Sequence, residues 1–183
     1  MSRLKFLIIP RLLLFASAIS IVQAQAQAPD PDTLTIEDTA GKATATYTIR
    51  SLRKEYVLQE RTTATPWSGL GTIEFRGPLL KDILAKNGIA GAREFEVLAY
   101  NDFISRISAV EIDAYSPILA IEQRCTDEDR SRSLCEANQT YRPLSVDDGG
   151  PFYLVWPLKN LPRNYVPGRN AIWVWFVVKV RPI

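Results

Sequence analysis

The chain has 183 residues, 22 Lys and Arg against 20 Asp and Glu, two cysteines and no histidine. Without histidine there is no Ser-His triad, no imidazole base and no histidine metal ligand, and two cysteines cannot complete a four-ligand Cys/His site. Chemistry here is left to carboxylates, Lys, Arg, Tyr or a bound cofactor.

Residues 1–28 read as an export signal. Arg3 and Lys5 give a positive start, and Leu12 to Val22 is an apolar run of 11 residues, too short to span a bilayer. Pro10 and Arg11 interrupt the apolar stretch upstream, and "VQAQAQA" offers small residues for cleavage after Ala24, Ala26 or Ala28. The segment removes three bases and no acid, leaving 19 bases against 20 acids. The remainder, residues 29–183, is the length of one domain. It holds no basic tract, so nucleic acid is excluded as a partner and a periplasmic location is predicted.

Along the exported part, "DTLTIED" and "ATATYTI" alternate as short strands, and "RSLRKEY" suits one helical turn. Tyr56 to Trp67, "YVLQERTTATPW", is predicted as a strand running into a threonine-rich loop. "GPLLKDILAKNGI" is the clearest helix: Pro78 suits its first position, Leu80, Ile83 and Leu84 make one apolar stripe, and Gly88 stops it. "REFEVLAY" alternates as a strand, "NDF" turns it, and "ISRISAVEI" continues as strand then turn. Ser116 to Gln123 forms another strand.

Cys125 and Cys135 follow, separated by nine residues of which eight are polar. Export places them where thiols pair, so they are predicted to form a disulfide that ties off a charged loop unable to bury itself. A redox pair would favour Cys-x-x-Cys spacing. "RPLSVDDGGP" is rich in turn residues. Phe152 to Pro157 and Ala171 to Val180 are apolar on both faces, hence predicted as central strands, with the loop "LPRNYVPGRN" between them. No internal repeat interrupts this order. Many strands and one good helix predict a strand-rich α+β domain.

Four segments come in a telling order: "GPLLKDILAKNGI", "LAYNDFISRISAVEIDAYSPILA", "RPLSVDDGGPFYLVWP" and "GRNAIWVWFVVKV". Together they resemble the molybdopterin-binding domain of the sulfite oxidase family. The matching positions are Asn101 and Asp102, then Pro143, Leu144, Gly149, Gly150, Pro151 and Pro157, then Gly168, Arg169 and Trp173, over about Tyr56 to Val180. In the family's oxidoreductases a cysteine thiolate binds molybdenum after a "strand-L-Q-C" segment. This chain has "VLQERTTATPW" there, with Glu60 at or beside that position.

The resemblance therefore implies a stand-alone, exported binder of a free pterin that does no catalysis. Its partner would be the periplasmic domain of a membrane-bound signalling protein, a cyclic di-GMP enzyme or a sensor kinase. The alternative it leaves open is a molybdopterin-dependent oxidoreductase holding the molybdenum cofactor through Glu60.

A pterin is a flat ring with hydrogen-bonding edges, so its site needs stacking faces, a carboxylate for the donor edge and donors for the carbonyl. Asp102 is either that carboxylate or part of an Asx turn with Asn101. Arg169 either covers or bonds the ring, or is a solvated loop residue. Trp156 and Trp173 are stacking candidates or core. Trp175 shares a strand face with Trp173, so one of that pair is expected in the core. Arg61 and Thr62, with Thr63 and Trp67, line the loop that replaces the metal-ligand loop and could bind a pterin side chain.

Overall fold

The computed structural model describes residues 29–69 and 71–183. In chain order the elements are β1 (Leu34–Glu37), β2 (Ala43–Tyr47), α1 (Ile49–Glu55), β3 (Gln59–Thr63), β4 (Ile73–Gly77), α2 (Leu80–Lys86), β5 (Glu94–Ala99) and β6 (Ile104–Ser108). There follow α3 (Ala109–Tyr115), β7 (Ile118–Ala120), β8 (Glu122–Arg124), α4 (Asp127–Ser131), β9 (Tyr141–Pro143), β10 (Tyr153–Val155), α5 (Tyr165–Gly168) and β11 (Val177–Pro182). The predicted export segment lies outside the described residues.

Three sheets result. The largest has strand order β2-β1-β11-β5-β6, the second β3-β4-β8-β9, and β10 pairs with β7 alone. Only β1 with β11 is a parallel pair in the first sheet, so the last strand returns beside the first. The expected strand-rich α+β architecture is what forms. One contiguous core joins the sheets: Leu34 and Ile36 of β1, Phe75 of β4, Phe95 and Val97 of β5, and Leu119 of β7 are all essentially inaccessible. Burial of such side chains is the main favourable term, about 1.5–3 kcal/mol each.

Several boundaries differ from the sequence reading. The strand expected over Ser116 to Gln123 is two strands, β7 and β8, in different sheets. Ile121 sits between them and donates its amide to the Arg76 carbonyl at 3.0 Å, while Leu119 donates to the Pro78 carbonyl at 2.9 Å. The chain thus changes sheets as it crosses the end of β4. The turn expected after "ISRIS" is α3, opened by a capping box in which Ser108 and Glu111 bond each other's backbone amides. Pro78 is not the first residue of α2, which starts at Leu80 with Leu79 as its N-cap.

Cys125 and Cys135 form the expected disulfide. The loop they close does bury part of itself, contrary to expectation. Thr126 caps α4 with Asp129, and Asp129 is buried against Arg142, whose Nε donates to Oδ1 at 2.8 Å. The ring closed by the cystine is short, so Cys125→Ser with Cys135→Ser should cost roughly 3 kcal/mol in urea unfolding. A loss below about 0.5 kcal/mol would show that α4 and its ion pair hold the loop alone.

Candidate binding cavity

Three chain segments converge at one end of the large sheet. The first is the turn after β5. Asp102 donates its amide to the Ala99 carbonyl (3.1 Å), Ala99 donates to the Phe103 carbonyl (2.9 Å), and the Asn101 Oδ1 accepts from the Phe103 amide (3.3 Å). That last bond is an Asx turn. Asp102, at φ 64°, takes the left-handed conformation that Asp tolerates better than most residues.

The second segment precedes β11. The strand expected over Ala171 to Val180 begins only at Val177. Before it, Asn170–Ile172 form a tight turn, and Trp156 donates its indole N–H to the Ile172 carbonyl at 2.8 Å. The chain is then stitched to three neighbours: Leu154 bonds the Val174 carbonyl, Phe176 bonds the Gly149 carbonyl, and Tyr100 bonds the Phe176 carbonyl, each at 2.9 Å. Phe176 has φ 53°, a strained conformation for an aromatic residue. Gly149, at φ 82°, takes a conformation that favours glycine, and a Cβ there would also crowd the Trp175 indole at 3.1 Å.

The third segment is the loop after β3. Ser68 donates its amide to the Thr65 carbonyl (3.2 Å), which raises Trp67 against Trp175. The two rings meet edge to face with centroids 4.6 Å apart.

Between these segments lies a cavity of about 370 Å³, within the size range of small-ligand sites. Trp67, Trp173, Trp175, Phe103 and Phe176 wall it, with Asn101 and Asn170 as its polar side chains. Among the described residues, none that lines it is charged. Two buried polar atoms in this wall lack hydrogen-bond partners among the described residues: the Trp173 indole Nε1, a donor, and the Asn170 Oδ1, an acceptor. Buried polar groups are rarely left unpaired, since each costs about 1–3 kcal/mol.

Of the seven residues singled out from sequence, Asn101 and Trp173 line this cavity. The other five lie elsewhere. Asp102 is exposed at the apex of its turn. Arg169 is held by Glu111, with Nη2 at 2.6 and 2.7 Å from the two carboxylate oxygens, and Tyr165 donates to the same carboxylate at 3.1 Å. Burial alone would raise the Glu111 pKa, but the Ser108 and Arg169 donors outweigh it and lower it. Arg169 is thus spent on clamping α3.

Trp156 is fully enclosed in the core, where it holds the Ile172 carbonyl. Arg61 points to the Ser116 carbonyl, Nη2 to O 2.9 Å, with its pKa lowered by burial. Thr62 lies on the opposite face of β3, lining a polar groove with Glu74 and Arg124. Glu60 is exposed, opposite Arg76 in the β3–β4 register.

Sequence reasoning gave Trp67 only a place in its loop, and did not single out Phe103, Asn170 or Phe176. Trp173 and Trp175 both face the cavity, but not from a strand. Trp173 is 3% exposed and Trp175 37%. The clue available was "GRNAIWVWF" itself: an Asn beside the Arg, at the foot of three closely spaced aromatics.

No protein-family model and no curated protein matches the sequence. Among solved structures, the sulfane dehydrogenase SoxCD of Paracoccus pantotrophus is similar, with a TM-score of 0.54 and 16% identity. The match covers 84% of this chain but only 39% of that one, so the chain spans well under half of the solved protein's length. At that identity the likeness speaks for architecture alone: the chain forms a strand-rich α+β domain whose fold is similar to part of that protein.

Proposed function

We propose that the domain is a non-catalytic binding protein for a flat heteroaromatic ring, a free pterin, seated in the aromatic cavity. The observation that supports this most is the pair of unpartnered buried atoms, Trp173 Nε1 and Asn170 Oδ1, in an uncharged aromatic wall. Both atoms are enclosed, so a pterin edge would reach them through a small shift of the wall, with an acceptor for the first and a donor for the second, while Trp67 or Trp175 supplies a stacking face.

The molybdenum cofactor fits these residues poorly. Both cysteines of the chain are joined in the disulfide, so no thiolate is available to the metal. Among the described residues no group of three Cys, Asp or Glu is arranged to hold a metal ion. Glu60, the substitute ligand for a molybdopterin-dependent oxidoreductase, is not among the residues that line the cavity.

The disulfide fits an oxidising compartment, in keeping with export to the periplasm. Among the described residues no helix is long and apolar enough to cross a membrane. In the fuller reading, pterin occupancy is relayed to the periplasmic domain of a membrane-bound signalling protein, a cyclic di-GMP enzyme or a sensor kinase.

Trp173→Phe tests the site. It keeps an aromatic wall and removes the unpaired donor. Titration with 6-methylpterin, followed by calorimetry, should show affinity reduced about tenfold, the worth of one hydrogen bond. The unliganded protein should lose little stability, since the indole N–H has no partner to forfeit. Unchanged affinity would remove Trp173 from the site.

A further inference from the structure

Of the asparagines in the chain, only Asn138 has a hydroxyl residue two positions on, in "EANQT" (Glu136 to Thr140). Asn-x-Ser/Thr, with no proline between, is the acceptor sequence for N-linked glycans, and it carries meaning on an exposed segment of an exported chain. Chance alone also produces such triplets, so the structural setting decides.

The setting fits. Glu136, Ala137, Asn138 and Thr140 are all exposed, and Gln139 is half-buried. Gln139 donates its amide to the Glu136 carbonyl at 3.1 Å, closing a turn with Ala137 and Asn138 at its centre. The turn is held from its flanks. Cys135 is tied to Cys125 on one side, and the Cys125 amide donates to the Thr140 carbonyl at 2.9 Å on the other. The Gln139 side chain completes the support: Oε1 accepts from the Glu136 amide at 3.1 Å, and Nε2 donates to the Tyr141 carbonyl at 2.9 Å. These bonds use neither the Asn138 carboxamide nor the Thr140 hydroxyl, the two groups a transferase must reach. The disulfide that anchors the turn also belongs to an oxidising compartment, the side of the membrane on which exported chains are glycosylated.

We propose that Asn138 is a site of N-linked glycosylation. Its Nδ2 attacks the anomeric carbon of an oligosaccharide carried on a lipid pyrophosphate. The N–C bond forms as the anomeric C–O bond breaks. The lipid pyrophosphate departs with that bonding pair, and one amide proton passes to solvent. Glu136 adds the acid that bacterial oligosaccharyltransferases select two residues before the acceptor. No residue from Cys125 to Tyr141 lines the aromatic cavity, so the proposal stands apart from the ring-binding reading.

The test expresses the full chain in a bacterial host that carries an oligosaccharyltransferase and its lipid-linked glycan. The periplasmic protein is then weighed by intact mass spectrometry. The chain should gain the mass of one glycan. Asn138→Gln and Thr140→Ala should abolish the gain, Thr140→Ser should keep it, and Glu136→Gln should lower the glycosylated fraction. No gain, in cells where a control acceptor is glycosylated, would overturn the proposal, and so would a gain that persists in Asn138→Gln. Absence of the chain from the periplasm would overturn the compartment on which the proposal rests.

Discussion

Gly77→Ala should destabilise the domain by about 4 kcal/mol or more, the largest effect expected of an added methyl at any glycine of the chain. Gly77 ends β4 where β7 crosses it. A Cβ on Gly77 would lie 1.9 Å from the Leu119 carbonyl oxygen and 2.8 Å from the Ala120 Cα. Both are backbone atoms, so no side chain can rotate away. Nor can the strand retreat, because Leu119 bonds the Pro78 carbonyl at 2.9 Å and pairs with Leu154 of β10. Relief requires pulling two sheets apart. Gly91→Ala is the control: its Cβ would meet nothing within 4 Å, and the change should stay within about 0.5 kcal/mol. Urea unfolding of the two variants reads the difference, and a Gly77→Ala loss below about 1 kcal/mol would mean the crossing is loose.

The second large effect is at Arg142. Its guanidinium is buried and bridges two carboxylates, Nε to Asp129 at 2.8 Å and Nη1 and Nη2 to Asp148 at 2.5 and 3.0 Å. One partner belongs to α4 inside the disulfide loop. The other belongs to the turn that ends at Gly149, under Trp175. Arg142→Ala leaves two enclosed carboxylates without their counter-charge, which costs about 3–5 kcal/mol. Lysine should recover little, since a single ammonium cannot serve two acids in the fork geometry.

The effect has a pH signature. Burial alone would raise both carboxylate pKa values. Hydrogen bonds outweigh it, from Thr126 and Arg142 at Asp129 and from Arg142 and Ser145 at Asp148, so both lie below their ordinary value. A lowered folded-state pKa contributes stability that is fully present above the unfolded value, about 3.9, and is lost as pH falls through the folded values. The gap between wild type and Arg142→Ala should therefore be full at pH 7 and narrow below about pH 4. A gap that is constant with pH would assign the loss to packing instead.

Much of this architecture is written in local signals. The apolar stripe of Leu80, Ile83 and Leu84 marks α2, and the spacing of Cys125 and Cys135 in an exported chain marks the disulfide. The α3 helix was legible too, in "SAVE", where Ser108 and Glu111 hold capping-box spacing, but strand alternation upstream masked it. What could not be read is non-local. The switch of sheets at Ile121 depends on the Arg76 and Pro78 carbonyls, some forty residues earlier in the chain. The apolar run before β11 looks like strand by composition. It is diverted because its amides and carbonyls are claimed by Gly149, Leu154 and Tyr100.

The candidate site was half legible for the same reason. Asn101 and Trp173 sit in motifs whose local turns bring them to the cavity. Arg169 and Trp156 sit in motifs as conspicuous, but their hydrogen-bonding capacity is taken by Glu111 and by the Ile172 carbonyl. A sequence shows that a residue can bind a ring. Only its neighbours show whether it is free to do so. Trp173 Nε1 and Asn170 Oδ1 stand out in the cavity wall because no described residue bonds them, as is also the case for Arg61 Nε and the Tyr153 hydroxyl elsewhere.

The most direct measurement is mass spectrometry with metal analysis of protein purified from an export-competent bacterial host. A pterin at close to one equivalent, without molybdenum, is the expected result. Molybdenum co-purifying with a pyranopterin would contradict it, and would make Glu60 the first residue to replace.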